Sequence, residues 1–151
     1  MLKGIPAILS PELLKVLMEM GHGDEICIGD GNFPHASMNA RVIRCDGHGV
    51  PELLEAILKL MPLDTYVDKP ATLMAVVPGD TVQTPIWDTY RTIIGRYDPR
   101  GSETIANIDR FTFYDRARNC YAVVATGEKA LYANIILKKG VVVDHQTESI
   151  N

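Results

Sequence analysis

The chain has 151 residues, 46% of them hydrophobic and 23% charged, with a formal net charge of −4. That length and balance suit one globular domain, residues 1–151, with a sizeable core and a polar tail from about residue 144. Scattered Lys and Arg exclude the concentrated basic patch that nucleic acid or an anionic membrane surface requires, and no apolar run reaches the roughly 18–20 residues of a membrane span.

The first segment, MLKGIPAILSPELLKVL, is broken by Pro6 and Pro11 and lacks the long apolar core of a secretory signal, so the expected location is the cytoplasm. Ser10-Pro11-Glu12 predicts a helix start: Ser10 caps free N–H groups, Pro11 suits the first helical position, and Glu12 complements the positive end. Leu13, Leu14, Leu17 and Met18 give that helix an apolar face, and Gly21 and Gly23 stop it with His22 held between them. Glu25 to Gly29 reads as a strand, Asp30-Gly31-Asn32-Phe33-Pro34 as a turn, and Val42 to Arg44 as a further strand. Val50-Pro51-Glu52 opens a second helix with Leu53, Leu54, Ile57, Leu58 and Met61 inward. Thr72 to Val77 is an apolar run of strand length, closed by Pro78-Gly79-Asp80. Helices are expected from about Ile86 to Ile94 and from about Arg110 to Asn119. Tyr121 to Ala125 and Tyr132 to Leu137 read as strands, and Lys138-Lys139-Gly140 turns the chain into Val141 to Val143. Alternating helices and strands predict an α/β domain with a sheet covered on both faces. Cys27, Cys45 and Cys120, odd in number and without CxxC spacing, read as buried reduced thiols.

Few residues stand out chemically. Flanking glycines leave the His22 ring accessible. The helix end favours the imidazolium and partial burial opposes it, a balance that suits proton transfer near neutral pH. From the residues alone, the simpler reading is a plain capping loop whose histidine bonds a carbonyl. Asp30 ends a strand, the usual edge for sites in α/β sheets, yet aspartate also starts turns by bonding its own backbone. Tyr132 and Asn134, two apart on a predicted strand, share a face and offer a phenol beside an amide, suitable for sugar hydroxyls or for an outer edge. Arg110 is by default a solvated first-turn residue. His22, Asp24, Asp30, His35 and His48 match no metal-ligand spacing, Gly29-Asp30-Gly31 has Pro34 where GxGxxG needs glycine, and no P-loop or GxSxG nucleophile motif occurs.

Longer stretches say more. LKGIPAILSPELLKVLMEMGHGDEI (Leu2 to Ile26), DGNFP (Asp30 to Pro34), LLEAILKLMPLDTYV (Leu53 to Val67), QTPIWDTY (Gln83 to Tyr90) and FYDRARNCYAVVATGEKALYANIILKKGV (Phe113 to Val141) together resemble the fucose-mutarotase branch of the ribose-pyranase and fucose-mutarotase family, over nearly the whole chain. Asn32 in the turn and the QTPxW stretch are closest to animal-type members; bacterial members often have DAHFP, so no second histidine role falls on position 32. The resemblance implies a three-layer α/β/α fold with a mixed sheet. It implies a catalytic role for His22, in MGHGDE, and substrate binding by Asp30, Arg110, Tyr132, Ala133 and Asn134, with Tyr132 available to relay a proton. Arginine at position 110, where the ribose branch has histidine, favours fucose. The activity implied is interconversion of L-fucose anomers by acid–base ring opening and reclosure, with no cofactor and no metal. The assembly implied is a ring-shaped homo-oligomer, commonly a decamer, with sites near subunit contacts. Pyranose–furanose interconversion of ribose and a non-catalytic sugar-binding role are the alternatives.

Overall fold

The computed structural model describes residues 1–144. Among them, β1 (Glu25–Gly29), β2 (Val42–Cys45), β3 (Ala71–Met74), β4 (Ile105–Ile108), β5 (Ala122–Thr126) and β6 (Ile135–Lys138) form a mixed sheet in the order β2-β5-β1-β6-β3-β4. β1, β2 and β5 are mutually parallel, as are β3 and β4. β6 runs antiparallel to β1 and β3 and joins the two parallel groups. Its direction decides what gathers at each edge: the carboxyl ends of β1, β3 and β4 meet the start of β6.

Alternation along the strands separates two apolar layers. Ile26, Ile28, Val124, Ile135 and Leu137 pack with the helices α1 (Pro11–Glu19), α3 (Val50–Leu60) and α4 (Pro85–Tyr97). Cys27, Val123 and Ile136 pack on the other face with Phe113 and Ala117 of α5 (Arg110–Asn119), beside the single-turn α2 (His35–Met38). The three-layer α/β/α arrangement with a mixed sheet follows. The central strands are buried on both faces, which is why they read as near-continuous apolar runs. Leu53, Leu54 and Ile57 of α3 are wholly buried, each contributing about 1.5–3 kcal/mol.

Helix starts follow their local chemistry. Ser10 Oγ accepts from the Leu13 N–H at 3.2 Å. Asp109 caps α5 by accepting from the N–H groups of Phe111 and Thr112, both at 3.1 Å. Such caps contribute about 1 kcal/mol each.

Several expectations need correction. Met18 is 85% exposed, and Val16 takes its place on the buried face of α1, whose inward stripe is Leu13, Val16 and Leu17. The run from Thr72 is a strand only to Met74, because β4 ends opposite it at Ile108. β4 itself, the 3₁₀ turn Gly101–Thr104 and α2 carried no periodicity to announce them. β4 lies at the sheet edge, paired only with β3, and is half-exposed. Val141 to Val143, past the end of β6, are 47–72% exposed. The polar tail past Asp144 lies outside the described residues. Cys27, Cys45 and Cys120 are buried free thiols, and burial pushes the Cys120 thiol up to about 12. No helix among the described residues is long and apolar enough to cross a membrane.

Candidate functional site

A cavity of about 210 Å³ opens at the edge where β1, β3 and β4 end and β6 begins. Asp30, Arg110, Tyr132 and Asn134 line it together, with Phe33 and Tyr114 as aromatic walls. Asp30 follows β1 directly and is 4% exposed. One carboxylate oxygen accepts from the Asn32 N–H at 3.0 Å, closing the turn, and the other accepts from the Ala133 N–H at 3.3 Å. Burial raises the carboxyl above its ordinary range, and these N–H groups with that of Phe33 only partly offset it. Each oxygen keeps a lone pair for a ligand hydroxyl.

Asn134 Oδ1 accepts from the Asp30 N–H at 2.8 Å. Its oxygen is thereby engaged, and its NH₂ is the group left to meet a ligand. Arg110 is the first residue of α5, placed beyond the end of β4 by the Asp109 cap. Its guanidinium lies 5.0 Å from the Phe111 ring centroid and forms no ion pair with a described carboxylate, which leaves a cation at the cavity wall. A buried carboxyl, an amide, a phenol and a cation around one small cavity can orient a polyhydroxylated ligand by charge-assisted hydrogen bonds.

Tyr132 and Asn134 do reach this cavity together, but not as alternate residues of a strand: β6 begins at Ile135. Tyr132 has φ 54, the left-handed region, which costs a non-glycine residue on the order of 1–2 kcal/mol. Tertiary bonds hold the segment there. Trp87 Nε1 donates to the Tyr132 carbonyl and the Tyr90 hydroxyl to the Ala133 carbonyl, both at 2.7 Å. Both donors come from α4, so the QTPIWDTY stretch serves the site by holding this irregular segment. Behind the Asp30 turn, a Cβ on Gly29 would lie 2.7 Å from His35 Nε2 and 2.8 Å from Phe33 Cδ1, which restricts the position to glycine.

His22 sits at the opposite sheet edge. β1 separates it from Asp30, and a five-residue strand at about 3.3 Å per residue keeps them more than about 15 Å apart. Here His22 does not cap the helix. Lys139 does, its Nζ donating to the carbonyls of Leu17 and Met20. Gly23 takes φ 87 and donates its N–H to the Lys139 carbonyl at 2.9 Å, so the turn presents His22 outward. Its side chain is 45% exposed, and Nε2 lies 2.9 Å from Oδ1 of Asp64, whose side chain is 4% exposed. Tyr66 packs against the imidazole with ring centroids 5.0 Å apart. Burial alone would raise the Asp64 carboxyl, yet the Tyr66 N–H, His22 and Lys138 together hold it below the ordinary carboxylate range. Arg100 fixes this loop by donating to the Asp64 and Val67 carbonyls at 2.9 and 3.1 Å.

Four of the sequence-predicted side chains therefore converge, with the Ala133 N–H beside them, and His22 stands apart within the chain. Sequence reasoning missed Asp64, Trp87 and Tyr90 as supports. All three lie inside the matched stretches LDTYV and QTPIWDTY, but 42 or more residues separate each from its partner.

A mixed α/β/α fold with a polar cavity at the strand ends defines a small-molecule-binding class of α/β protein. The chain belongs to the RbsD / FucU transport protein family, which it matches over residues 3–142. It is 55% identical over 146 residues to the human fucose mutarotase, covering 93% of this chain and 94% of that one. FucU from Bifidobacterium longum superposes with a TM-score of 0.92 at 61% identity, covering 93% of this chain and all of that one. A fucose mutarotase from Streptococcus pneumoniae, solved in complex with L-fucose, superposes with a TM-score of 0.88 at 56% identity, covering 94% and 100%. RbsD of Bacillus subtilis, at 20% identity and a TM-score of 0.71, shares the fold.

Proposed function

We propose that this chain interconverts the α and β anomers of L-fucose in the cytoplasm by opening and reclosing the sugar ring. What carries the reading is the cavity that joins Asp30, Arg110, Tyr132 and Asn134, in a chain 50–61% identical to fucose mutarotases and FucU. Ring opening removes a proton from the anomeric hydroxyl and delivers one to the ring oxygen; closure on the other carbonyl face gives the opposite anomer. No electron leaves the substrate, so a pair of acid–base groups and a binding array suffice. Asp30 and Arg110 orient hydroxyls, the Asn134 amide and the Ala133 backbone fix further ones, and Tyr132 lies beside the reacting end.

His22 is the proton-transfer group, and it reaches the sugar from a second copy of the chain. Two features support this. One chain keeps His22 more than about 15 Å from Asp30. Both edges also carry exposed apolar side chains: Met18, Tyr66 and Val142 near His22, and Val77, Phe111 and Leu131 near the cavity, 40–85% exposed. The active form is accordingly a homo-oligomer, with a decameric ring as the geometry to test. Asp64 holds the imidazole by one nitrogen and leaves the other for the sugar.

Saturation-transfer NMR of L-fucose anomer exchange tests the proposal. The protein should accelerate exchange, and His22→Ala should slow it about a hundredfold or more. Exchange at the spontaneous rate with wild-type protein would end the enzymatic reading. Faster pyranose–furanose exchange of ribose than anomer exchange of fucose would reassign the substrate.

A further inference from the structure

Tyr132 is fixed at its hydroxyl as firmly as at its backbone, and the group that fixes it belongs to none of the residues so far given a role. The Pro78-Gly79-Asp80 turn, with Gly79 at φ 90 and the Asp80 N–H bonded to the Val77 carbonyl at 3.0 Å, swings Asp80 back over the cavity rim. Asp80 Oδ1 is occupied by the Val82 N–H at 3.0 Å. Asp80 Oδ2 lies 2.9 Å from the Tyr132 hydroxyl. The same phenol oxygen accepts from the Val77 N–H at 3.3 Å.

These partners determine the polarity of the phenol. An ionised carboxylate has no proton to offer, so the Tyr132 O–H must donate to Asp80. The Val77 N–H occupies one lone pair. Towards the cavity that Tyr132 lines, the phenol oxygen is left with a lone pair and no proton.

We propose that Asp80 is a positioning residue that turns Tyr132 into an obligate hydrogen-bond acceptor for the sugar. The inference rests on the mutarotase reading and sharpens it. A ring oxygen carries no hydrogen and cannot pair with such an acceptor; a sugar hydroxyl can. Asp80 therefore places Tyr132 at the hydroxyl that gives up its proton, and leaves protonation of the ring oxygen to the imidazole. Asp80 touches no substrate itself, and its exposed position lets the hydrogen-bonded chain from hydroxyl to phenol to carboxylate end in solvent.

Asp80→Asn keeps size and shape, but its amide can donate to the phenol oxygen and so turn the Tyr132 proton towards the cavity. Anomer exchange at saturating fucose should fall about tenfold or more, while the half-saturating fucose concentration stays within about twofold. Tyr132→Phe should lose a similar factor, and the double variant should be no slower than Tyr132→Phe alone, because both remove one device. A wild-type rate in Asp80→Asn, or losses that multiply in the double variant, would overturn the inference. With ¹³Cζ-tyrosine labelling, the Tyr132 signal, identified by its absence in Tyr132→Phe, should shift in Asp80→Asn; an unmoved signal would also overturn it. That resonance is read without turnover, so an inactive wild type would condemn the mutarotase reading while the Asp80–Tyr132 bond is judged separately.

Discussion

Two carboxylates at opposite ends of the sheet are buried almost equally, Asp30 at 4% and Asp64 at 3% exposure, yet burial has opposite outcomes for them. At Asp30 desolvation wins and the carboxyl is raised; its hydrogen bonds come from neutral backbone N–H groups, the one from Ala133 long at 3.3 Å. At Asp64 the desolvation is overcome by the Tyr66 N–H, the His22 ring at 2.9 Å and the nearby Lys138, and the carboxyl is lowered. The difference lies in what each was left without. Asp30 faces a cavity whose cation, Arg110, makes no contact with it, so its best partner is a ligand. Asp64 already has its partner in the His22 ring. The cavity edge has no imidazole in its wall, and the His22 imidazole lies at the other edge.

If the two edges are halves of one site, they can be supplied by different chains. His22→Ala and Arg110→Ala should each be nearly inactive, by about a hundredfold or more for the histidine. Unfolded together and refolded as a mixture, they should regain activity, up to about one quarter of wild type where copies assemble at random, because some contacts then join an intact cavity to an intact histidine. A mixture no more active than its components would break the comparison and return both halves to one chain.

How much of this was legible in the sequence depended on how local each cause is. Ser10-Pro11-Glu12 and Asp109-Arg110 specify helix starts through groups within three residues, and both helices begin where those residues dictate. The buried strands β1 and β5 announced themselves through unbroken apolar runs. Tyr132 and Asn134 show the opposite case. Their pairing at one cavity was anticipated from a strand periodicity that does not exist; the contact comes from a left-handed Tyr132 held by Trp87 and Tyr90, 45 and 43 residues away from the carbonyls they bond. His22 was legible as an accessible ring between glycines, but its partner was not. Nothing within five residues of it encodes Asp64.

A smaller effect probes why the binding edge is rigid. Gly29→Ala places a methyl group within 2.8 Å of both the Phe33 and His35 rings, and neither ring is the far end of a flexible side chain. The cavity wall should shift with Phe33, at a cost of about 1–3 kcal/mol typical of overpacking. Chemical denaturation should record that loss, accompanied by weaker fucose binding. A fully stable variant with unchanged affinity would mean that the Asp30 turn is softer than its contacts indicate.

The smallest effect tests the carboxylates themselves. A group lowered in the folded state stabilises the fold above the ordinary carboxylate range, and that contribution disappears as pH falls through its lowered value. A raised group behaves in the reverse sense: its contribution is complete below the ordinary range and is lost as pH climbs through the raised value. Asp64 is the first kind and Asp30 the second. Asp64→Asn should therefore be most destabilised relative to wild type at neutral pH, with the gap closing on acidification. Asp30→Asn should improve relative to wild type as pH rises, because the variant no longer buries a charge. Each asparagine also replaces one accepting oxygen with a donor, which adds an offset independent of pH, so the slopes carry the test. Melting temperatures of the three proteins between about pH 3 and pH 8 supply those slopes. Opposite signs mean that the partners, rather than depth of burial, decide the charge at each edge; slopes of the same sign would erase the contrast between them.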